Sequence, residues 1–291
     1  MSTKIIAAYE PQDNKPDFRV QKATLRAINH DELLIRVVAT RVCHTDLIFA
    51  TWPADQIPYP KVLGHEGSGI VVEAGSDVSK ARVGDSVLLS FQNCKSCHDC
   101  QEGHPAFCSN FTAANYGGEA AGYSADGKDL RGSFFGQSSF SELAVVKETS
   151  IVNVSKLTES EDELRLFAPL GCGFQTGAGT VDNIAQASGK DIIVVAGLGG
   201  VGLVSIMATK SLGATHVINT ANKDLDVQQE IQNITDGKGS TITIDTTGNM
   251  DVIRAGMEFT ANRGQLIIPE DFETALEDMR SGRTVKPVIL W

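Results

Sequence analysis

Ile192–Gly202 reads IIVVAGLGGVG. The apolar half is typical of a buried strand, and the glycine half has the G-x-G-x-x-G spacing that joins such a strand to a helix in dinucleotide-binding folds. There the first glycine makes the turn, the second lets the backbone approach a pyrophosphate, and the third lets the helix pack on the strand. A simple glycine turn is the alternative. The predicted cofactor contacts are Gly197, Gly199, Gly200, Val201 and Gly202.

Strand and helix patterns alternate on both sides of this turn. Helical patterns precede it at 159–167 and 175–185. After it, strands are predicted at 216–220, 241–246 and 264–268, with helices at 200–212, 224–235 and 250–260. A helix at 272–280 and a strand at 286–291 close the chain. This alternation predicts a parallel sheet wound by crossover helices.

The first 158 residues show a different pattern. Short β-type runs at 33–40, 69–74, 85–90 and 141–146 are broken by glycine and proline, and helical periodicity is scarce. Such a pattern predicts an irregular β-rich domain. The chain as a whole is therefore expected to be α/β, with two domains.

Composition narrows the class of protein. The 291 residues are 42% hydrophobic and 21% charged, as in ordinary globular proteins. With 25 basic and 36 acidic residues the net charge is −11, and no basic stretch interrupts it, so nucleic acid and anionic membranes are not expected partners. The N-terminal residues lack a secretory signal pattern, and no apolar run is long enough to span a bilayer. A cytoplasmic protein is expected.

Four of the six cysteines form one cluster with C-x2-C-x2-C-x7-C spacing. Its members are Cys94, Cys97, Cys100 and Cys108. Four thiolates can complete the tetrahedral shell of a structural zinc site. Three disulfides are the alternative, but two-residue spacings in a reducing compartment favour metal chelation. His98 and His104 lie in or beside the cluster and are expected to be bystanders, because four thiolates already satisfy zinc.

The other two cysteines lie apart from this cluster. Cys43 begins the sequence CHTD, and Cys172 lies in PLGCG. A histidine, His65, lies in GHEGSG. Two thiolates and one imidazole leave a fourth coordination position open, which is what a catalytic zinc requires.

These motifs, with Gly75 and Val78 after the histidine motif, resemble the NAD-dependent zinc alcohol dehydrogenases of the medium-chain family. The resemblance extends over residues 33–268. The sequences FFGQSSF (134–140) and PLGCG (169–173) are most similar to members that act on aryl or other bulky primary alcohols. The resemblance implies an irregular β-rich GroES-like catalytic domain over 1–172, with 271–291 returning to it. It also implies a shortened Rossmann-type doubly wound parallel sheet over 173–270.

The resemblance also implies a role for each matching residue. Cys43, His65 and Cys172 would hold a catalytic Zn²⁺, and the four-cysteine cluster a second, structural Zn²⁺. Glu66 would lie close to the catalytic metal and act on ligand exchange or on the local field. Asp46 would fix the tautomer of the zinc-binding histidine, a partner that such sites generally require.

Further implied roles concern the substrate and the cofactor. Thr45 would accept the alcohol proton, and His44 would face the cofactor pyrophosphate. Thr176 and Lys286 would lie beside a bound NAD, and the choice between NAD and NADP stays open. Each motif residue has an alternative: Thr45 as a helix N-cap, Glu66 as a solvated loop carboxylate, and His44 as a surface residue.

The implied reaction is hydride transfer between NAD(P) and a small primary alcohol or its aldehyde. Zinc lowers the pKa of a bound alcohol toward neutrality, so no strong base is needed. Four aromatic residues are candidates for a substrate pocket, and ordinary core packing is the alternative. They are Trp52, Phe91, Phe111 and Tyr116.

Two stretches depart from the family pattern, and both lie in the cofactor half. The sequence SLGATHVIN (211–219) resembles the entry to the family's third strand, so that about 22 residues with the second strand and its acidic ribose contact would be missing. Alternatively, 216–220 is itself the second strand, with Asn219 or Thr220 replacing the acid. After Ile268 the sixth strand is also absent.

These departures have expected consequences. In family members the sixth strand commonly builds the dimer interface, so a homo-oligomer would lack its usual contact. Ile48 stands where many members place the last histidine of a proton relay, so protons would leave through water. The alternative function is a zinc-binding family member that cannot hold the dinucleotide.

Overall fold

The fold was described from a computed structural model covering residues 1–13, 15–211, 215–220 and 225–269. The chain divides into two compact units between Cys172 and Gly173. Lys286, the predicted helix 272–280, the predicted strand 286–291 and the predicted return of 271–291 to the first domain lie outside the described residues.

The described residues of the first unit form ten strands. They are β1 (Ser2–Gln12), β2 (Lys15–Leu25), β3 (Glu32–Thr40), β4 (Lys61–Val62), β5 (Gly67–Ala74), β6 (Ser86–Leu89), β7 (Glu119–Ala125), β8 (Lys128–Gly132), β9 (Leu143–Lys147) and β10 (Ile151–Asn153). A closed barrel has the order β1-β2-β7-β8-β4, and a five-stranded sheet has the order β10-β6-β5-β3-β9. The predicted β-rich character of this half is confirmed.

Helices are short in the first unit. They are α1 (His44–Thr51), α2 (His98–Gln101) and α3 (Glu161–Leu166). No helix in the described part of the chain combines the length and the apolar character needed to cross a membrane.

The strands bury two neighbouring cores. Along β1 the buried residues alternate with exposed ones, so Ile5 and Ala7 face the barrel interior with Leu25 and Val62. A second cluster, which includes Leu33, lies against the five-stranded sheet. The β3–α1 junction and the β4–β5 connection both carry predicted metal ligands, and Leu63 of the β4–β5 connection belongs to the first core.

The second unit contains a parallel sheet of three strands in its described residues, in the order β11-β12-β13. The strands are β11 (Ile193–Ala196), β12 (Ser240–Asp245) and β13 (Thr260–Ile267), and the helices are α4 (Gly173–Gly179), α5 (Gly200–Ser211), α6 (Val227–Ile234) and α7 (Met250–Phe259). A π-helical turn over Thr180–Ile184 continues α4, so the predicted helix 175–185 is divided between these two elements. The predicted parallel α/β arrangement is confirmed.

The predicted strand 216–220 is wrong. Residues 215–220 have no regular structure, and Val217 is 97% exposed. Strand-forming sequence needs a neighbouring strand and a surface to pack on, and Val217 has no such surface here. The predicted helix 224–235 is present as α6, which starts at Val227 because the Asp226 side chain accepts a hydrogen bond from the Gln229 N–H at 2.9 Å.

A buried ion network joins the barrel to the five-stranded sheet. Arg26, just after β2, donates to both carboxylate oxygens of Glu32 on β3 at 2.7 and 2.8 Å. It also donates to Glu119 on β7 at 2.8 Å. The Glu32 side chain is only 4% exposed, so its charge depends on these partners.

We predict that Glu32→Gln lowers the free energy of unfolding by about 2 kcal/mol at neutral pH, because it removes charge-assisted hydrogen bonds in a buried setting. Burial raises the pKa of Glu32, but hydrogen bonds from Arg26 and Asn29 outweigh it and lower the pKa below the ordinary 4.5. This contribution is therefore complete above pH 4.5 and lost as pH falls through the lowered pKa. Urea unfolding of both proteins across that range measures it.

The matched control is Asp17→Asn, since Asp17 also pairs with an arginine but its side chain is 31% exposed. Exposed ion pairs contribute little to stability, so this variant should unfold like the wild type. If both variants lost the same free energy of unfolding, burial would not be the reason for the effect of Glu32→Gln.

Candidate active site

The predicted catalytic metal ligands come from three separate segments of the first unit. Cys43 caps the start of α1, His65 lies between β4 and β5, and Cys172 follows a 3-10 turn over Ala168–Gly171. The structure brings their ligating atoms together with a carboxylate oxygen of Glu66, all within 4.8 Å of one another. The cluster offers two thiols, one imidazole and one carboxylate around a common point.

The Asp46 carboxylate organises two of these ligands. It is fully buried, and its Oδ2 accepts a hydrogen bond from the Cys43 N–H at 3.0 Å. Its Oδ1 accepts from the Gly64 N–H and from His65 Nδ1, each at 3.0 Å. With Nδ1 carrying the proton, Nε2 of the imidazole is the atom left for a metal. The geometry has the form expected of a histidine-orienting partner.

Proton affinities in the cluster are strongly perturbed. Contact with the Cys172 thiol, and then with His65, lowers the pKa of Cys43 to about 3 against the effect of burial. The hydrogen bond with Cys43 and burial raise the pKa of Cys172. Burial lowers the pKa of His65, but Asp46 and Cys43 outweigh it and raise it to about 10. These shifts arise because the ligand groups are packed around one point, and a divalent cation bound there takes the place of their protons.

This donor set fits zinc. Two sulfurs and one imidazole nitrogen are borderline-soft ligands that zinc accepts in tetrahedral geometry. Three such ligands leave one position for a substrate oxygen or for the nearby carboxylate of Glu66. The residues present therefore suit a zinc ion with an exchangeable fourth ligand.

Glu66 is fully buried, so the alternative of a solvated loop carboxylate is wrong. Arg41 donates to its Oε2 at 3.4 Å, and the charge of Glu66 contributes to the raised pKa of Cys172. The carboxylate thus interacts with a guanidinium on one side and with the Cys172 thiol, a predicted metal ligand, on the other. Sequence reasoning does not identify Arg41, because nothing in its local pattern marks a partner in the β4–β5 connection, 25 residues away.

Gln137 is a second residue that sequence reasoning does not identify. Its side chain is buried, its Oε1 accepts from the Gly67 N–H at 3.1 Å, and its Nε2 donates to the His65 carbonyl at 2.8 Å. One amide therefore holds the backbone on both sides of Glu66. Gln137 could have been noticed only because it lies in FFGQSSF, a sequence that supports the family resemblance but assigns no role to this residue.

The four-cysteine cluster is also assembled. The sulfurs of Cys94, Cys97, Cys100 and Cys108 lie within 4.8 Å of one another, and all six cysteines are free, so the disulfide alternative is wrong. The Cys97 N–H donates to the Cys94 sulfur at 3.3 Å, a contact typical of thiolate ligands in a metal loop. Hydrogen bonds from Ser96 lower the pKa of Cys94 to about 5.

Thr45 and His44 occupy the first turn of α1. The Thr45 hydroxyl lies 3.7 Å from the Cys43 sulfur, so it borders the metal cluster. Cys43, and not Thr45, is the N-cap, which makes the N-cap alternative for Thr45 wrong. His44 is exposed, and Ile48 lies one turn further along the same helix.

Aromatic rings continue outward from the metal cluster. Phe135 lies against the His65 ring at 4.8 Å between centroids, and Phe134 contacts it at 5.9 Å. Phe49 of α1 packs on Phe134 at 5.1 Å and on Trp52 at 4.7 Å. The remaining rings of this aromatic cluster are Phe91, Phe111 and Tyr116.

All four aromatic residues singled out in the sequence therefore join one cluster that begins at a metal ligand. Phe49 was not identified, because only its packing distinguishes it from any other apolar residue of a helix. Phe49 and Phe134 are buried members of the first hydrophobic core, and Trp52, Tyr116 and Phe135 pack against that core. The alternative of core packing therefore accounts for part of this cluster.

The backbone at Phe135 is in the left-handed region. Phe135 has φ of +48° and its neighbours Ser133 and Ser138 have φ of +58° and +48°. Such conformations are unfavourable for residues with a Cβ and persist where surrounding contacts enforce them. Here the Ser138 hydroxyl accepts from the Phe134 N–H at 2.8 Å and donates to the Val62 carbonyl at 2.6 Å. The strain places the Phe135 ring on His65.

The predicted glycine turn lies in the second unit, between β11 and α5. Gly197 has φ of +104°, and a Cβ on Gly202 would overlap the Gly197 carbonyl oxygen. A Cβ on Gly199 would meet nothing within 4 Å, so space is open there for a ligand to approach the backbone. The glycines thus have the three uses that the motif predicts: turn, open approach and close packing.

The other residues predicted to contact the cofactor lie on α4, on α5 and in the segment 215–220. Val201 belongs to the first turn of α5, and its carbonyl closely approaches Gly177 of α4. Thr176, on α4, accepts a hydrogen bond at its carbonyl from the Thr180 hydroxyl at 2.7 Å. Asn219 and Thr220, proposed replacements for the acidic residue, lie in the irregular segment 215–220.

Two family matches divide the chain. Residues 29–156 match the family described as alcohol dehydrogenase GroES-like domain, and residues 180–269 match the family described as zinc-binding dehydrogenase. The first match includes Cys43, His65 and the four-cysteine cluster, and the second includes the parallel sheet with its glycine turn. Cys172 lies between the two matched ranges.

Individual relatives agree with these matches. The chain is 36% identical over 253 residues to a probable alcohol dehydrogenase of a Pseudomonas species, covering 78% of both chains. It is 36% identical to a geraniol dehydrogenase of Castellaniella defragrans, covering 80% of this chain and 68% of the relative. The crystal structure of benzyl alcohol dehydrogenase from Acinetobacter calcoaceticus superposes with a TM-score of 0.74 at 34% identity, covering 94% of this chain and 82% of the other.

We predict that Asp46→Asn weakens divalent-metal binding at the Cys43–His65–Cys172 cluster about 10- to 100-fold, as loss of such partners typically does. The amide places an N–H₂ group where donors now converge, which disturbs the tautomer of His65. The rate of zinc transfer to a chromogenic chelator measures the effect, and metal in the four-cysteine cluster serves as the internal reference.

Asp55→Asn is the control, because Asp55 is an exposed acid just after α1, the helix that carries Asp46. It should release metal like the wild type. If Asp46→Asn also released metal at the wild-type rate, the carboxylate would not be organising the site.

Proposed function

We propose, since this chain belongs to the zinc-containing medium-chain alcohol dehydrogenase family, that it transfers hydride between NAD(P) and a primary alcohol–aldehyde pair with an aromatic or similarly bulky side chain. One observation carries the proposal. The ligand atoms of Cys43, His65 and Cys172 converge on one point, with Glu66 and an aromatic cluster beside them.

The chemistry of the first step depends on the metal. Zn²⁺ held by Cys43, His65 and Cys172 would act as a Lewis acid that lowers the pKa of the substrate hydroxyl toward neutrality. Around it, the Asp46 carboxylate keeps the His65 imidazole in one orientation, and Gln137 holds the neighbouring backbone. These contacts fix the ligands before substrate arrives, so little rearrangement is needed during the reaction.

Thr45 is proposed to receive the alcohol proton. Its hydroxyl is half-buried beside Cys43, and it can accept one hydrogen bond while donating another. Ile48 offers no group to continue a relay along α1, so the proton would pass from Thr45 to water. His44 is exposed and is proposed to face the cofactor pyrophosphate.

The aromatic cluster supports the bulky or aromatic substrate class. Phe135 contacts the His65 ring and is partly exposed, so a substrate whose oxygen reaches the metal would meet its aromatic surface. The fully buried Phe134 supports the position of both rings. Aromatic rings add about 0.5–1.5 kcal/mol per favourable ring contact beyond their burial. Relatives with similar chains are a benzyl alcohol dehydrogenase and a geraniol dehydrogenase, both named for bulky primary alcohols.

The second unit is proposed to hold NAD or NADP at its glycine turn, where a nicotinamide supplies the hydride acceptor. Gly199 leaves room for the pyrophosphate, and α5 starts at Gly200 with its N–H groups free to face it. Val201 and Thr176 complete the proposed contacts. The four-cysteine cluster is proposed to hold a second, structural Zn²⁺, giving two per chain.

A second candidate is a family member that binds zinc but does not hold the dinucleotide. The irregular segment 215–220 favours it, because the predicted strand with its ribose contact is not formed there. The described part of the sheet then has β11 at one edge, without a strand on that side. Cofactor binding therefore separates the two candidates.

The proposed function predicts that zinc-loaded protein reduces NAD or NADP when benzyl alcohol is added, measured by absorbance of the reduced cofactor. Thr45→Ala should lower kcat at least about 100-fold, because it removes the proton acceptor, while Thr45→Ser keeps the hydroxyl and most of the activity. Zinc content of about two per chain in all three proteins shows that the metal sites are intact.

Titration with NAD and NADP decides between the candidates. Micromolar binding of NAD or NADP without turnover would support the proposed cofactor site and contradict the proposed hydride transfer. Absence of binding by zinc-loaded, folded protein would favour the second candidate.

The substrate class has its own prediction. Phe135→Ala should raise KM for benzyl alcohol about 10-fold, the effect of losing roughly 1.4 kcal/mol of ring contacts, and change KM for ethanol less. Phe107→Ala is the control, since Phe107 is 62% exposed and lies outside the aromatic cluster. Equal effects on both alcohols would assign Phe135 to general packing around His65.

A further inference from the structure

Lys61 is a fully buried lysine that the proposed chemistry does not use. It lies on β4, the short strand that closes the barrel between β1 and β8. Its ammonium donates a hydrogen bond to the Tyr116 carbonyl at 2.6 Å and lies 5.5 Å from the centre of the Phe134 ring. A buried lysine is unfavourable unless its charge is matched, so these contacts need an explanation.

A second cation, Arg131, binds the carbonyl of the residue that follows Tyr116. Arg131 on β8 is the register partner of Lys61, and its Nε donates to the Gly117 carbonyl at 3.0 Å. The two strands are further joined by the Arg131 N–H, which donates to the Pro60 carbonyl at 2.9 Å. Two neighbouring cations from the barrel wall thus hold two consecutive carbonyls.

Those carbonyls end the π-helical turn over Ala113–Gly117. Carbonyl groups at the end of a helical turn carry partial negative charge and favour cations. The next residue, Gly118, has φ of +61°, and a Cβ there would overlap the Gly132 carbonyl of β8. The turn is therefore fixed against the barrel by charge on one side and by close backbone packing on the other.

The turn contains Tyr116, whose ring forms one side of the aromatic cluster. The Tyr116 ring contacts Phe49 at 4.8 Å, Phe135 at 5.4 Å and Phe111 at 5.8 Å between centroids. Phe135 in turn lies on the metal ligand His65. The position of the Tyr116 backbone thus determines how this side of the cluster faces the metal site.

We propose that Lys61 and Arg131 are positioning residues that hold the turn carrying Tyr116, and thereby set the preference for aromatic over short aliphatic alcohols. The proposal rests on the proposed function for its substrate. It concerns the shape of the aromatic wall and assigns no chemical step to either cation.

The titration of Lys61 makes the contact sensitive to pH. Burial, and then the charge of Arg131, lower the pKa of Lys61 to about 8. The groups facing it are the Tyr116 carbonyl, the Phe134 ring and Arg131, and no carboxylate of the described residues offsets the lowering. Below that pKa the ammonium makes a charge-assisted hydrogen bond, and above it the neutral amine makes a weaker one.

The test compares KM for benzyl alcohol with KM for ethanol. In Lys61→Met, which keeps the length of the side chain but removes the charge, the benzyl alcohol KM should rise about 10-fold relative to ethanol while kcat changes less than about 2-fold. Arg131→Met should act in the same direction. Lys22→Met, which removes an exposed lysine from β2, is the matched control and should keep the wild-type ratio.

The pH profile of the same ratio is the second readout. Using the ratio cancels titrations at the metal site, which affect both alcohols. In the wild type the ratio should rise as pH passes the Lys61 pKa of about 8, and in Lys61→Met it should be high and independent of pH.

Hydrogen exchange of the backbone amides over 111–118 tests the positioning without turnover. Exchange should be faster in Lys61→Met and Arg131→Met than in Lys22→Met, with unchanged melting temperatures showing that the fold is intact. If the wild-type protein proves inactive but exchange is still faster in the two variants, the positioning role is supported and only the proposed function is contradicted. Unchanged exchange, or an unchanged KM ratio in active Lys61→Met, overturns the proposal.

Discussion

The metal centre depends on one buried carboxylate. Asp46 accepts hydrogen bonds from the Cys43 N–H, the Gly64 N–H and His65 Nδ1. A carboxylate removed from water is tolerable only when its oxygens are matched by donors, so this one is stable only if α1 and the β4–β5 connection occupy their native positions together. The interaction that satisfies Asp46 therefore also sets the distance between the first two metal ligands.

The surroundings of His65 follow the same rule of mutual constraint. Gln137 holds its carbonyl, Phe135 covers its ring, and both come from a segment with repeated left-handed backbone conformations. Such strain persists only where many contacts oppose relaxation. Glu66 lies under similar control, buried between Arg41 and Cys172. Packing and hydrogen bonding therefore both act on the residues predicted to bind metal.

The sequence predicts those features of the fold and of the candidate site whose motifs consist of residues close together along the chain, and not those formed only by contacts between residues far apart in sequence. The cysteine and histidine groups predicted to bind metal do converge, as their motifs suggested, and the glycine turn is found where its motif links a strand to a helix. Arg41, Gln137 and Lys61 were not identified, since each acts on a residue brought close only by the barrel or the sheet. The strand 216–220 failed for the opposite reason: its local pattern is suitable, but strand formation depends on a neighbour.

The two units differ in what each can do alone. All seven predicted metal ligands lie at or before Cys172, within one compact unit whose barrel and sheet supply their supports. Zinc binding can therefore stabilise that unit whatever happens at the glycine turn, since ligand binding stabilises the state that contains the site. Hydride transfer, by contrast, requires a dinucleotide, and its turn belongs to the unit with three described parallel strands. The predicted metal sites and the predicted cofactor site therefore belong to different compact units of the chain.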